Sequence, residues 1–243
     1  MTETLRERVR ELSDANAFLE AFAEFAAHDL STPLCQVLSY ADLLKASLGP
    51  ALSGEARNFY EALLTAAERG RTIVDALRGL ARLRTDSVSF VRVDAAALMR
   101  SALGEISDTL WETRAQVEVA PLPALYGDGA LLQRLFVNLL ENAVKFRKRG
   151  TPARVRVSSR RREDGWVEVS VSDDGVGFAQ AEAERIFQPF VRLAAGGNSE
   201  EAGTGMGLAL CARIVERHGG TIAAQSRPGE GATIVVALPA ATG

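Results

Sequence analysis

The hydrophobic period changes along the chain, and the changes mark its parts. From Leu5 to Leu30 apolar residues recur at spacings of four and three: Leu5, Val9, Leu12, Leu19, Ala23, Ala26 and Leu30, with polar Asn16 in the same frame. This period predicts a helix that contributes to a two-stranded coiled-coil seam, or, unpaired, a lone amphipathic helix. An asparagine at one seam position fixes register and favours a dimer. In this frame His28 falls at the position pointing away from the seam. Pro33 follows within the same stretch, where a proline removes one N–H and crowds the carbonyl of Asp29. The apolar period resumes at Leu34, Val37, Leu38, Ala41 and Leu44, which predicts a kink and not a stop. The segment SLGPALSG (47–54) ends that helix. A second helix is predicted from Glu55 to Leu83, with Phe59, Leu63, Ala66, Ile73, Leu77 and Leu80 on its apolar face. Two such helices form an αα-hairpin, and two hairpins in a dimer form an antiparallel four-helix bundle.

Composition shifts at Thr85–Phe90, the expected hinge, and the pattern beyond it alternates between strand and helix. VSFVRV and AQVEVA predict short strands around a helix from Asp94 to Trp111. Asp128 or Gly129 opens a helix that reaches Arg147. ARVRVSSR and WVEVSVSD alternate with period two and are joined at Asp164-Gly165, a hairpin signal; TIAAQSRP and TIVVALP form a second hairpin across GEG. Between the hairpins lie a short helix (Glu182–Phe187), a Gly/Asn/Glu-rich stretch (194–205) and a helix from Gly207 to His218. The expected fold is α+β: a helical hairpin followed by an α/β sandwich with an antiparallel-rich sheet and helices on one face. The divisions are a coiled-coil helix at 1–20, the hairpin at 21–85, a hinge at 86–90 and the sandwich at 91–243.

Bulk properties narrow the partners. The 243 residues are 47% hydrophobic and 24% charged with net charge −3, so no global basic field recruits nucleic acid or an acidic membrane. The basic tip Arg160–Arg162 reads as a solvated hairpin end. No apolar run approaches the ~20 residues that span a bilayer, and the charged N-terminus is unlike a signal peptide. The expectation is a soluble cytoplasmic chain in which Cys35 and Cys211 are reduced, buried thiols.

Three stretches carry candidate chemistry. In NLLENAVKF (138–146), Asn138, Asn142 and Lys145 share a helix face. An amide oxygen can enter a magnesium shell and a lysine can meet phosphate, although such a face is commonly just solvated. In SDDGVGF (172–178), Asp173-x-Gly175-x-Gly177 follows a strand; the glycines let backbone approach a ligand, and the aspartate can accept from an exocyclic amine. Alone, that pattern is more often a turn. GTGMGL (203–208) opens a helix, where orphan N–H groups and the macrodipole favour phosphate. Its spacing is neither a Walker A motif nor a Rossmann fingerprint. The polar stretch before it reads as a lid over a nucleotide, or as an ordinary surface loop.

Taken in order, these stretches resemble the catalytic core of a sensor histidine kinase over residues 15–240. HDLSTPL resembles that family's H box, NLLENAVKF its N box, DDGVG its first glycine box, IFQPFVRL (186–193) its phenylalanine box and GTGMGLAL its second glycine box. The resemblance implies a dimerisation and phosphoacceptor domain joined to an ATP-binding domain of the kind shared with gyrase-type and Hsp90-type ATPases. It implies that His28 accepts phosphate, that Asp29 orients and deprotonates it, and that Asn142 coordinates magnesium. Asn138 and Lys145 would contact phosphates, and Asp173 would bind the adenine amino group beside Gly175 and Gly177. Gly203, Thr204, Gly205, Gly207 and Leu208 would cradle phosphates, while Arg192 would assist transfer. The implied cofactors are ATP and Mg2+; the implied partners are a second copy of the chain and a response-regulator receiver. Thr32, four after the histidine, resembles the residue that goes with phosphatase activity on the receiver. Ser31 stands where many members carry arginine, and His218 matches a structural His-Gly-Gly turn. The rivals are a scaffold that has lost ATP chemistry and a gyrase-like or Hsp90-like ATPase. The second has no use for the H box.

Overall fold

The computed structural model describes residues 27, 30–85, 89–193 and 204–241. The chain forms two compact units, Met1–Asp86 and Ser87–Gly243.

In the first unit, α1 (30–48) runs through Pro33 without interruption and ends in a 3-10 turn, Gly49–Ala51. The second helix, α2 (Gly54–Thr85), follows two residues later. Gly49 and Gly54 both have positive φ, which lets the chain reverse between the helices. The hairpin interior has a seven-residue repeat. Ala27 and, on α1, Ala41 are buried, with Leu34 midway between them in the sequence, and Tyr60, Ala67 and Val74 are buried on α2. Leu34 lies against Gly70, where a Cβ would stand 3.1 Å from its methyl.

The apolar face predicted for α2 is therefore not the hairpin's interior. Phe59 (72% exposed), Leu63 and Ile73 point outward, as do Leu30, Val37 and Leu44 on α1. Each helix carries two apolar stripes, one turned into its own hairpin and one left open. A bundle helix needs both: the set predicted for α2 is the outward stripe alone, whereas that predicted for α1 mixes inward Leu34 and Ala41 with outward Val37 and Leu44. The side chains of Leu77 and Leu80, and the predicted coiled coil over 1–20, lie outside the described residues. Cys35, expected to be buried, is exposed.

The second unit is a five-stranded sheet in the order β2 (Gln116–Val119), β4 (Arg154–Arg161), β5 (Trp166–Asp173), β7 (Gly231–Pro239), β6 (Thr221–Arg227). Only β2 and β4 pair in parallel. A separate antiparallel pair joins β1 (Val91–Val93) to β3 (Leu125–Gly127). The strict alternation of β4 and β5 sends Val155, Val157, Val167, Val169 and Val171 to the buried face. Against it pack α5 (Gly129–Lys145) and α6 (Gly207–Arg217), with α3 (Ala95–Glu105) laid on α5. Asp94 and Asp128 cap α3 and α5, accepting N–H bonds of 3.0 Å from the first turns. The single helix predicted over 94–111 is broken: buried Ile106 leaves helical geometry, and α4 (Ser107–Thr113) follows until Arg114 enters the left-handed region. The short helix predicted at 182–187 is two 3-10 turns, Gln180–Glu182 and Arg185–Phe187. Phe90, expected in the hinge, is held in this unit by an edge-on contact with Tyr126. At the hairpin tip Arg160 is ion-paired to Glu168 at 2.7 Å and Arg162 to Asp164 at 2.6 Å, while Arg161 donates to the Ala241 carbonyl. Among the described residues no helix is long and apolar enough to cross a membrane.

Candidate active site

The site is assembled on α5. Its inward stripe (Leu132, Leu135, Phe136, Leu139, Leu140, Ala143, Val144) is buried, which fixes the rotation of the helix and turns Asn138 and Asn142 toward the N-terminus of α6. Each asparagine donates its amide nitrogen to the carbonyl four residues back: Asn138 to Arg134 at 2.8 Å, Asn142 to Asn138 at 2.9 Å. Both amide oxygens are thereby left as acceptors. Gly207, the first residue of α6, meets both side chains. A Cβ there would stand 3.1 Å from Asn138 Oδ1 and 3.5 Å from Asn142 Nδ2. Unlike α3 and α5, α6 has no side-chain cap, because Met206 precedes it. Its first N–H groups stay available to an anion, next to the Asn142 amide nitrogen and the Asn138 amide oxygen. Lys145, one turn beyond Asn142, stands 5.5 Å over the Phe146 ring.

The Asp173 turn closes the sheet side. Asp173 ends β5 and is mostly buried; its Oδ1 accepts from the Gly175 N–H at 2.9 Å and the Ala232 N–H at 3.3 Å. Burial raises its pKa from 3.8 to about 6, against those two hydrogen bonds, which lower it; the neighbouring Asp174 adds a small lift. Such a carboxylate gains from any further donor. The glycines of this turn have a second explanation besides ligand approach. A Cβ on Gly175 would collide with the Phe146 carbonyl, which accepts from Val176 N–H at 2.9 Å. A Cβ on Gly177 (φ +59°) would collide with the Arg227 and Gly231 carbonyls. The turn is thus bolted to the end of α5 on one side and to the β6–β7 hairpin on the other. Gln180 completes the bolt by pairing with the free edge of β6, accepting from Ser226 N–H at 2.9 Å and donating to Ala224 O at 3.1 Å.

Gly205 (φ +73°) lies against Phe190 and Val191, and its carbonyl accepts from Phe190 N–H at 3.1 Å, which joins the second glycine box to the phenylalanine box. Thr204 and Leu208 flank this contact, both half-buried, and Arg192 is exposed beyond it. Thr32 is on the exposed face of α1, in the first unit. His28, Asp29 and Gly203 lie outside the described residues, as does the predicted lid over 194–202. Three participants carried no sequence signal or a weak one: the Ala232 N–H, the Phe146 carbonyl and His218, whose ring is buried against Phe90 and Gly127. The first two are backbone groups, invisible in a motif.

Among the described residues no cluster of three His, Cys, Asp or Glu side chains could hold a metal unaided. The donor set instead fits a hard cation held by one amide oxygen, with the remaining ligands supplied by phosphates and water.

The chain thus carries two modules, a helical hairpin and an α/β sandwich in which the uncapped start of α6 packs on two asparagines and β5 ends at Asp173. Residues 18–86 match the His Kinase A (phospho-acceptor) domain, and residues 127–242 match the histidine kinase-, DNA gyrase B- and HSP90-like ATPase family. The chain belongs to the sensor histidine kinases, of which it carries the catalytic core. It is 35% identical over 237 residues to the phytochrome-like protein Cph1 of Synechocystis sp., covering 98% of this chain and 31% of that protein. It is 30% identical to the sensor-like histidine kinase SenX3 of Mycobacterium tuberculosis, covering 90% of this chain and 53% of SenX3. The crystal structure of full-length ShkA in complex with AMPPNP superposes with a TM-score of 0.72 at 28% identity, covering 92% of this chain and 46% of ShkA. The chain spans about a third of the length of the phytochrome relatives it matches.

Proposed function

We propose that the chain is an ATP-dependent protein histidine kinase that phosphorylates His28 and passes the phosphoryl group to an aspartate of a response-regulator receiver. The observation that carries the nucleotide half is Gly207, at the uncapped start of α6, packed on Asn138 and Asn142. The AMPPNP held by ShkA supports the same ligand here. Asp173 accepts from the adenine amine; the α6 N-terminus, Asn138, Lys145 and the glycines around Gly205 receive the phosphates. Asn142 is the residue that would hold Mg2+, which when bound neutralises phosphate charge. In the transfer an imidazole nitrogen of His28 attacks the γ-phosphorus, and the bond to the β–γ bridging oxygen breaks. ADP leaves, and the ring proton passes to Asp29. The positioning of groups, with Arg192 stabilising charge, is the work asked of the protein.

The outward stripes Leu30–Val37–Leu44 and Phe59–Leu63–Ile73 support a dimeric four-helix bundle. Sedimentation equilibrium is expected to return twice the 26.0 kDa chain mass; a monomer would remove this part of the reading. The kinase test is incubation with γ-labelled ATP and magnesium. The expected product is an acid-labile, base-stable label that disappears in His28→Gln. Release of phosphate with no phosphoprotein would favour the ATPase rival instead.

A phosphatase activity is favoured by Thr32, whose side chain is exposed and which stands four residues after His28 in the sequence. Thr32→Ala is expected to slow dephosphorylation of the cognate receiver about 10-fold or more while autophosphorylation stays within about twofold. Equal dephosphorylation rates would exclude the role.

A further inference from the structure

The two helices that build the phosphate site are tied together at their opposite ends. At one end Gly207 of α6 rests on Asn138 and Asn142 of α5. At the other, His218, the residue after α6, binds Asp128, the residue before α5. The helices are therefore antiparallel, and Asp128 and Asn138 are about 15 Å apart along α5.

The geometry at His218 allows one protonation state. Nδ1 lies 2.7 Å from the Ile214 carbonyl, so it carries the hydrogen. Nε2 accepts from the Asp128 backbone N–H at 3.1 Å, so it carries none. Burial holds the ring's pKa below 6.5, assisted by Arg217 and opposed by the Ile214 carbonyl and the Asp128 carboxylate. The same Asp128 is the cap of α5, its Oδ1 accepting from Ala130 and Leu131. The histidine thus grips the residue that begins the helix. Its ring is stacked under Phe90, 4.9 Å between centroids and 10° between planes. Gly127 makes room for it: a Cβ there would stand 2.6 Å from Cδ2 and 2.7 Å from Nε2.

We propose that His218 is a positioning residue for the phosphate site: by holding the cap of α5 on the end of α6 it sets the helix register that places Asn138 and Asn142 against Gly207. Packed helices settle into discrete ridge-and-groove settings, so a slip at the histidine end is carried to the phosphate end. Misplacement of about 1 Å at a site can cost about 100-fold. The inference rests on the nucleotide reading of the site, and the test separates the two. Binding of adenosine, which engages only the Asp173 end, is compared with binding of ADP plus magnesium by calorimetry on the full chain.

His218→Asn keeps a donor for Ile214 but cannot reach Asp128. His218→Gln keeps an acceptor at the reach of Nε2 and loses the ring. Gly127→Ala pushes the ring out. H218N and G127A are expected to bind adenosine within twofold of the parent while the gain from ADP over adenosine falls at least tenfold. H218Q is expected to keep that gain within threefold, whatever its melting temperature. An unchanged gain in H218N, or an equal loss for both ligands, overturns the proposal. Should H218N and G127A fail to fold, a tenfold loss of the gain in H218Q overturns it instead. If the parent binds neither ligand, the nucleotide reading fails.

Discussion

Asp173→Asn is expected to make the protein more stable and unable to hold its nucleotide. The carboxylate sits mostly buried with its pKa at about 6 against an ordinary 3.8. An acid raised in the folded state binds more protons folded than unfolded between those two values, so stability falls as pH rises through that window and stays low above it. A lift of this size corresponds to on the order of 3 kcal/mol at neutral pH. The asparagine removes the buried charge and keeps an oxygen for the Gly175 and Ala232 N–H groups. The expected result at pH 7.5 is a Tm about 5 °C higher for the α/β unit, shrinking to nothing near pH 4. Nucleotide affinity should fall about 100-fold, because an amide nitrogen then faces the adenine amine. In the parent protein the same titration should weaken nucleotide binding as pH drops through about 6. A variant that melts no higher, or that binds ADP as well as the parent does, would remove Asp173 from this role. A site that destabilises its own scaffold until ligand arrives is a common trade of stability for function.

The second large effect concerns Gly177. Alanine there faces two penalties: a left-handed φ of +59° and a Cβ driven into the carbonyls of Arg227 and Gly231, which belong to backbone and cannot rotate away. The expected cost is about 4 kcal/mol or more, read as a shift in the urea midpoint. Gly165 supplies the control. Its φ is +85° but a Cβ there meets nothing within 4 Å, so alanine should cost only about 1 kcal/mol. Equal costs at the two positions would show that the bolt between the Asp173 turn and the β6–β7 hairpin contributes nothing.

These glycines also show where the sequence was readable. Their presence and order were plain, and so was the family they indicated, but a motif records residue types and not what presses on them. Gly175 and Gly177 are held as closely by backbone as any ligand could require. Elements with strong local signals were legible: α5 from its cap at Asp128 and its wide apolar stripe, β4 and β5 from alternation and the Asp164-Gly165 turn. The break at Ile106 was not, since a buried isoleucine keeps the helical period while its backbone leaves it. Nor was β3, three residues within PLPALYG. Its pairing with β1 is long-range and leaves no periodicity. The meeting of Asn138, Asn142 and Gly207 followed from the resemblance; the grip of His218 on Asp128 did not, because its partner is a backbone N–H ninety residues away.

The paired stripes of the helical hairpin have a consequence for divergence. Ala27, Leu34 and Ala41 with Tyr60, Ala67 and Val74 hold one chain's helices together, whereas Leu30, Val37 and Leu44 with Phe59, Leu63 and Ile73 face away. Substitutions in the outward set can alter which copies recognise each other without loosening the hairpin that carries the phosphoacceptor. A cell holding many paralogous kinases needs that insulation, since mispairing would mix their signals, and here it amounts to a shift of a few residues along each helix.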